Sequence, residues 1–307
     1  MAAGGHRGRG RRRRARAVGP PRGAVRPHPA SQAAVALIRR TVPDLDLPAW
    51  LTSRQRETIV SLAERNDAEH RDDLLGLVLS GSAARGLATE RSDLDVVVVL
   101  ADEAASGRST DKSPEVDEIV DSWSELTTVP PFGTEHWWSR WSYAWAPVLL
   151  DRTGGELAAA VRRQATVPPE EADTVLVEHD RLDGWVNFAY RALKSDRDGR
   201  ALEARLDAAE SVPWLLDVVF TMAGRVRPYN KYLAWELRTH PLDGWPADEL
   251  LALVQRTLVG DASAVRETFA RVRAACTAYD AVRGHTRATD TVAGWGAELA
   301  IFDRPGS

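Results

Sequence analysis

Gly81-Ser82-Ala83-Ala84-Arg85-Gly86, followed by Ser92-Asp93-Leu94-Asp95 and the run Val96-Val97-Val98-Val99-Leu100, decides how this chain is read. A Gly/Ser turn of phosphate size precedes two carboxylates spaced i and i+2 at the start of an apolar run. In an extended strand such residues point to one face, about 6.5–7 Å apart. Carboxylates held that way, beside a turn with free backbone N–H groups, suit a divalent metal and a triphosphate gripped together. That is the arrangement phosphoryl or nucleotidyl transfer needs.

The surrounding sequence supplies the context. Leu74–Ser80 (LLGLVLS) is a short apolar run ending at Gly81 and reads as the first core strand. Asp93–Leu100 reads as the second, and its unbroken apolar run after Asp95 implies burial on both faces, hence a central strand. Residues 101–113 read as a polar loop, and Glu115–Asp121 as a third, shorter strand. Ser122–Leu126 opens a small helix. Upstream, helical patterns cover 32–41 and 53–66; the second opens with Thr52 and Gln55 at capping-box spacing and buries Ile59, Val60 and Leu62. From about residue 170 the period is helical, with helices expected over 171–196, 200–225, 229–239, 247–258, 262–283 and 288–301.

The string GSAARGLATERSDLD resembles the GSxARGxxxxxSDxD pattern of the nucleotidyltransferase superfamily related to DNA polymerase β. The branch it resembles most is that of small bacterial nucleotidyltransferases and aminoglycoside adenylyltransferases. Residues 50–155 carry the resemblance, and Ala146–Gly154 (APVLLDRTG) is similar to the segment that closes such domains. The fold implied is α+β: a small mixed-sheet, palm-like nucleotidyltransferase domain followed by an all-helical domain. The divisions expected are an Arg-rich tail over 1–30, the nucleotidyltransferase domain over 31–160 and a helical substrate or cap domain over 161–307.

The resemblance gives roles to particular residues. Gly81 and Ser82 would receive phosphate oxygens, with Ser92 and Arg85 beside them; Ser92 equally serves to fix the strand entry, and Arg85 to brace the acidic pair. Asp93 and Asp95 would hold Mg²⁺, two ions in all, which removes the several kcal/mol that an unpaired buried carboxylate costs. The family's third carboxylate comes from an adjacent strand. Asp117 is the first choice, because Val116-Asp117-x-Ile119-Val120 resembles the family's strand; Glu118 is the opposite-facing alternative, and Glu115 shares Asp117's face. Lys194 would bind triphosphate from the helical region, with Lys231 and Arg227 as further cations, while Asp207, Glu210 and Asp217 form an acidic stripe for an acceptor. Trp137, Trp138 and Trp141 are candidates for the cleft rim, although tryptophans are more often core.

The reaction implied moves a nucleoside monophosphate, from ATP or another NTP, to a hydroxyl of a small-molecule acceptor and releases pyrophosphate. An aminoglycoside-like acceptor, and hence antibiotic modification, is the most concrete form of it. Two other readings remain: an adenylyltransferase that modifies a protein hydroxyl, and a catalytically retired module that senses nucleotide or binds a partner.

Bulk properties set limits. The 307 residues carry a net charge of −4, but residues 1–40 hold 11 Arg and no acid, which leaves −15 on the remainder. An acidic body is a poor binder of polyanions and argues against nucleic acid as its partner. Cys276 is the single cysteine, which excludes an intrachain disulfide and suits a cytoplasmic setting. No stretch approaches the ~18–20 apolar residues of a membrane span, so no membrane partner is expected. Residues 1–30 have too little apolar surface to fold. Oligomeric state leaves no mark in the sequence.

Overall fold

The computed structural model describes residues 44–303, so the tail over 1–30 and the helix expected over 32–41 lie outside the described residues. Residues 42–307 group as one compact unit. Five strands form its sheet: β1 (Leu74–Ser80), β2 (Leu94–Leu100), β3 (Asp111–Lys112), β4 (Val116–Ser122) and β5 (Val148–Asp151), in the order β3-β4-β2-β1-β5. β1 pairs antiparallel with β2 and β5, and β3 antiparallel with β4, while β2 and β4 run parallel. The sheet is therefore mixed, in an α+β fold, with β2 central as its apolar run requires.

Around the sheet lie α1 (Ser53–His70), the short α2 (Gly81–Ala84), α3 (Asp102–Ala105), α4 (Trp123–Thr127), α5 (Glu135–Ser139) and α6 (Glu156–Ala165). The capping box at Thr52 and Gln55 forms as its spacing predicts, each side chain accepting from the other residue's backbone N–H. Successive side chains of β2 alternate between two cores. Leu94, Val96, Val98 and Leu100 pack with Ile59 and Leu62 of α1, whereas Val97 and Val99 pack with Leu126 of α4 and Leu157 and Val161 of α6. Asp95 has the parity of the second set, so the acidic corner opens on the α4–α6 face.

The rest of the chain is helical: α7 (Pro169–Asp173), a π turn over Thr174–Glu178, α8 (Arg181–Arg197), α9 (Ala201–Met222), α10 (Leu233–Thr239), α11 (Ala247–Leu258), α12 (Ala262–Arg283) and α13 (Arg287–Ala293). The single helix expected over 171–196 is broken, because Asp180 takes a left-handed backbone, φ 54°. The expected 288–301 helix likewise divides into α13 and a 3₁₀ segment, Gly296–Ile301. β3, inside the expected polar loop, has only two exposed residues and no periodicity to betray it.

These helices share one core, built on Trp185 of α8, Phe220 of α9 and Phe269 of α12. Trp137 and Trp141 also belong to it, at 0% and 1% exposure, so they do not rim a cleft. Only Trp138 of that trio stays partly exposed. No described helix is long and apolar enough to cross a membrane.

Candidate active site

The sheet register assembles the acidic corner. Asp95 is the second residue of β2 and stands directly opposite Asp117 of the parallel strand β4 and Ser80 at the end of β1. Asp93 lies one residue before β2 and is exposed. Burial raises the pKa of Asp95 above the usual carboxylate value, and the charges of Asp93 and Asp117 raise it further; Lys231 and Arg85 pull the other way. An excess of negative charge in one corner, partly withdrawn from water, is a donor set that fits a hard divalent cation.

Among the described residues, no three His, Cys, Asp or Glu side chains converge on one metal position. Asp117 Oδ2 lies 3.6 Å from Lys112 Nζ.

The alternatives for the third acid have other partners. Glu118 faces α1, where Asn66 donates to it at 3.0 Å and Arg65 forms an ion pair. Glu115 pairs with Arg54 at the surface. Asp121, four residues after Asp117 and on its face, was not singled out by sequence reasoning. It accepts a hydrogen bond from the Tyr143 hydroxyl; burial raises its pKa and that bond lowers it. Its place four residues after Asp117, on the same face of an extended strand, was the signal available in the sequence.

Gly81 begins α2 with a left-handed backbone, φ 61°, and a Cβ there would lie 1.7 Å from Asp95 Oδ2. Only glycine allows the turn to pass this close to the carboxylate. Ser82 follows within α2, where its carbonyl accepts from the Leu87 N–H at 2.9 Å. Ser92 is occupied locally: its hydroxyl accepts from the Thr89 N–H at 3.0 Å, which fixes the entry to β2.

Arg85 does not point to open space. It is buried and donates to the carbonyls of Gly81 at 2.6 Å, Ala144 at 2.8 Å, and Trp141 and Ser142 at 3.2 Å. Its guanidinium also lies 4.0 Å from the centre of the Trp141 ring. Burial lowers its pKa, but a guanidinium stays charged. Arg85 therefore ties the phosphate-sized turn to the 141–144 segment, and its placement leaves direct contact with a nucleotide to other groups.

From the helical region, the segment before α10 reaches the corner. The Lys231 charge lowers the pKa of Asp95, while burial, with the charge of Asp95 adding to it, raises that of Tyr229. Tyr232 stacks on Trp141 with ring centres 5.0 Å apart. Lys194, by contrast, is exposed near the end of α8, 5.8 Å from the Tyr190 ring and close to Asp198. The acids expected to face an acceptor are largely committed. Asp217, 3% exposed, pairs with Arg181 at 3.6 Å and Arg227 at 3.4 Å, and Asp207 pairs with Arg191 at 3.0 Å. Glu210 is exposed on α9.

Two concavities are present among the described residues. One, of about 890 Å³, lies between Trp50, the first turn of α1 and the 86–92 turn, on the face to which Leu94 points. The other, of about 220 Å³, is lined by Trp138, Arg227, Pro228, Tyr229 and Asn230.

Residues 62–130 match the model of a family described as "Nucleotidyltransferase domain". Among solved structures, a nucleotidyltransferase-like protein from Exiguobacterium sibiricum is similar at 11% identity. That likeness covers 81% of this chain and 89% of the other, with a TM-score of 0.36. No curated protein matches. The matched stretch holds β1, the Gly81–Ser82 turn and the carboxylates of Asp93, Asp95 and Asp117, so the similarity to nucleotidyltransferase domains falls on the acidic corner.

Proposed function

We propose that the protein transfers a nucleoside monophosphate, AMP from ATP in the first instance, to a hydroxyl of a small molecule and releases pyrophosphate. The observation that carries this reading is the register of Asp95 against Asp117, with Asp93 two residues upstream and the Gly81 backbone against Asp95. Asp93, Asp95 and Asp117 are the residues that would hold Mg²⁺, as two ions. Bound there, the metal neutralises triphosphate charge and makes the attacking hydroxyl more acidic.

The chain's own groups do the rest by position and electrostatics. The Gly81 and Ser82 backbone and the Ser82 hydroxyl receive phosphate oxygens, and the Lys231 ammonium offsets their charge. The acceptor oxygen attacks the α-phosphorus in line. One P–O bond forms to the acceptor, the bond to the β-phosphate bridge breaks, and the hydroxyl proton leaves through the acidic corner. We assign acceptor binding to the helical region, 161–307, and the chemistry to 31–160, in a cytoplasmic protein. An aminoglycoside-like acceptor remains the most concrete candidate; of the acidic stripe on α9, Asp207 and Asp217 pair with arginines and Glu210 is exposed.

The test is Mg²⁺-dependent pyrophosphate release by wild type and Asp95→Asn. Each NTP is paired with aminoglycosides, neutral polyols and hydroxyl-bearing proteins, and product masses are recorded. Release that requires an acceptor and Asp95, with a nucleoside-monophosphate mass added, is the expected result. Metal-dependent nucleotide binding without release on any acceptor would replace the enzyme with a nucleotide-sensing module.

A further inference from the structure

We propose that Lys112 is an internal counter-ion for Asp117 which a divalent metal must displace, so that Lys112 sets the metal concentration at which the acidic corner closes. The inference rests on the reading of Asp93, Asp95 and Asp117 as metal-holding carboxylates.

A single row of residues crosses four strands in register: Ser80 of β1, Asp95 of β2, Asp117 of β4 and Lys112 of β3. Residues paired across neighbouring strands share a face and lie one strand spacing apart, about 4.8 Å. The row thus reads hydroxyl, carboxylate, carboxylate, ammonium. Lys112 Nζ is 3.6 Å from Asp117 Oδ2, with 73% of the lysine side chain exposed against 17% of the aspartate's. The lysine is a solvated arm over a half-hidden acid.

The surrounding backbone fixes where that arm starts. β3 consists of Asp111 and Lys112 alone, paired with Glu118 and Asp117. The turn behind it is closed by Ser113, whose N–H donates to the Val116 carbonyl at 3.0 Å and whose hydroxyl accepts from the Val116 N–H at 3.0 Å. The next strand in the row, β2, lies beyond Asp117, so Lys112 reaches one carboxylate of the corner and leaves Asp95 facing its acidic neighbours. Asp117 is thus drawn towards Lys112, and among the described residues the carboxylates do not converge on a single metal position. A divalent ion and an ammonium compete for the same Asp117 oxygen. The ion gains that oxygen when Lys112 swings into solvent, an easy motion for an exposed side chain.

Exposed ion pairs contribute at most about 1 kcal/mol, which is about fivefold in an equilibrium constant. The experiment is titration of the full-length, nucleotide-free protein with Mn²⁺, free ion being read by electron paramagnetic resonance. Lys112→Met is expected to bind Mn²⁺ about fivefold more tightly than wild type, Lys112→Arg to behave like wild type, and the gain to disappear when Lys112→Met is combined with Asp117→Asn. Urea midpoints confirm that each variant folds. Unchanged or weaker Mn²⁺ binding by folded Lys112→Met overturns the role of Lys112 while the metal reading stands. Absence of any Asp95-dependent Mn²⁺ binding in both wild type and Lys112→Met overturns the metal reading itself, and the proposal with it.

Discussion

Asp95 of β2 and Asp117 of β4 stand side by side on parallel strands, joined by a crossover that spans the 101–115 segment. Two carboxylates one strand spacing apart repel each other, and the fold keeps them there although nothing local in either strand demands it. Parallel pairing cannot be made by a tight hairpin, so the crossover length and the burial of β2 on both faces decide which residue of β4 comes to rest beside Asp95.

This repulsion makes metal-free stability depend on pH. Burial, with Asp93 and Asp117 behind it, holds the pKa of Asp95 above its ordinary 3.8. A group with a raised folded pKa binds its proton more tightly in the native state. Its contribution is therefore fully present below the unfolded pKa and is lost as pH rises through the folded one. Asp95→Asn should flatten the decline in urea midpoint above about pH 4 and abolish the rise in Tm on adding Mg²⁺. On the proposed role of Asp95 as a metal ligand, transfer should fall by more than about 100-fold, since a ligand matters at least as much as the outer groups around it.

Gly81→Ala should disable the site by steric means alone. Its Cβ would collide with Asp95 Oδ2 at 1.7 Å, and the left-handed backbone adds about 1–2 kcal/mol of strain. Gly86→Ala is the control: its φ is also positive, 67°, but a Cβ there meets the Trp50 ring at 3.5 Å, an ordinary contact. Both variants should lose stability in urea, and only Gly81→Ala should also lose Mn²⁺ affinity.

Local sequence carried the centre of the fold and little of its periphery. β1, β2 and β4 fall within a residue or so of the expected strands, because β1 and β2 are apolar runs bounded by turn residues and β4 interleaves Val116, Ile119 and Val120 with acids. Asp117 was one of three acids in a short strand, and alternation alone could not say which face met Asp95. The pairing register joins residues 22 positions apart across the crossover, and the partners of Glu118 on α1 lie more than fifty positions away. The same distance hid Arg85, whose carbonyl partners lie at 141–144, and the approach of Lys231 to Asp95. The break at Asp180 escaped notice because the apolar period continues through it.

Arg85→Lys separates bracing from phosphate binding. A lysine keeps the charge but, as a compact ammonium, cannot reach the Gly81 carbonyl and the three carbonyls of 141–144 together. The variant should lose about 2–3 kcal/mol of stability, as expected when charged hydrogen bonds to buried carbonyls go unmade. The readout is thermal unfolding beside the KM for NTP. A stable variant with a raised KM would return Arg85 to the phosphate site.

Lys231 and Lys194 offer the sharpest contrast within the helical region, because they are two of the three lysines in the chain and lie in different surroundings. Lys231 is exposed, sits 4.8 Å from the Tyr232 ring and lowers the pKa of Asp95 through space. Lys194 neighbours Tyr190 and Asp198 near the end of α8. A cation that feels Asp95 in the free protein will also feel a triphosphate placed over that corner, where charge-assisted contacts are strong. Lys231→Ala should therefore raise the KM for NTP about tenfold, the equivalent of about 1.4 kcal/mol, and the effect should shrink in high salt. Lys194→Ala should leave KM unchanged. Steady-state kinetics of both variants at two ionic strengths checks this, and a KM effect confined to Lys194→Ala would move the triphosphate site onto α8.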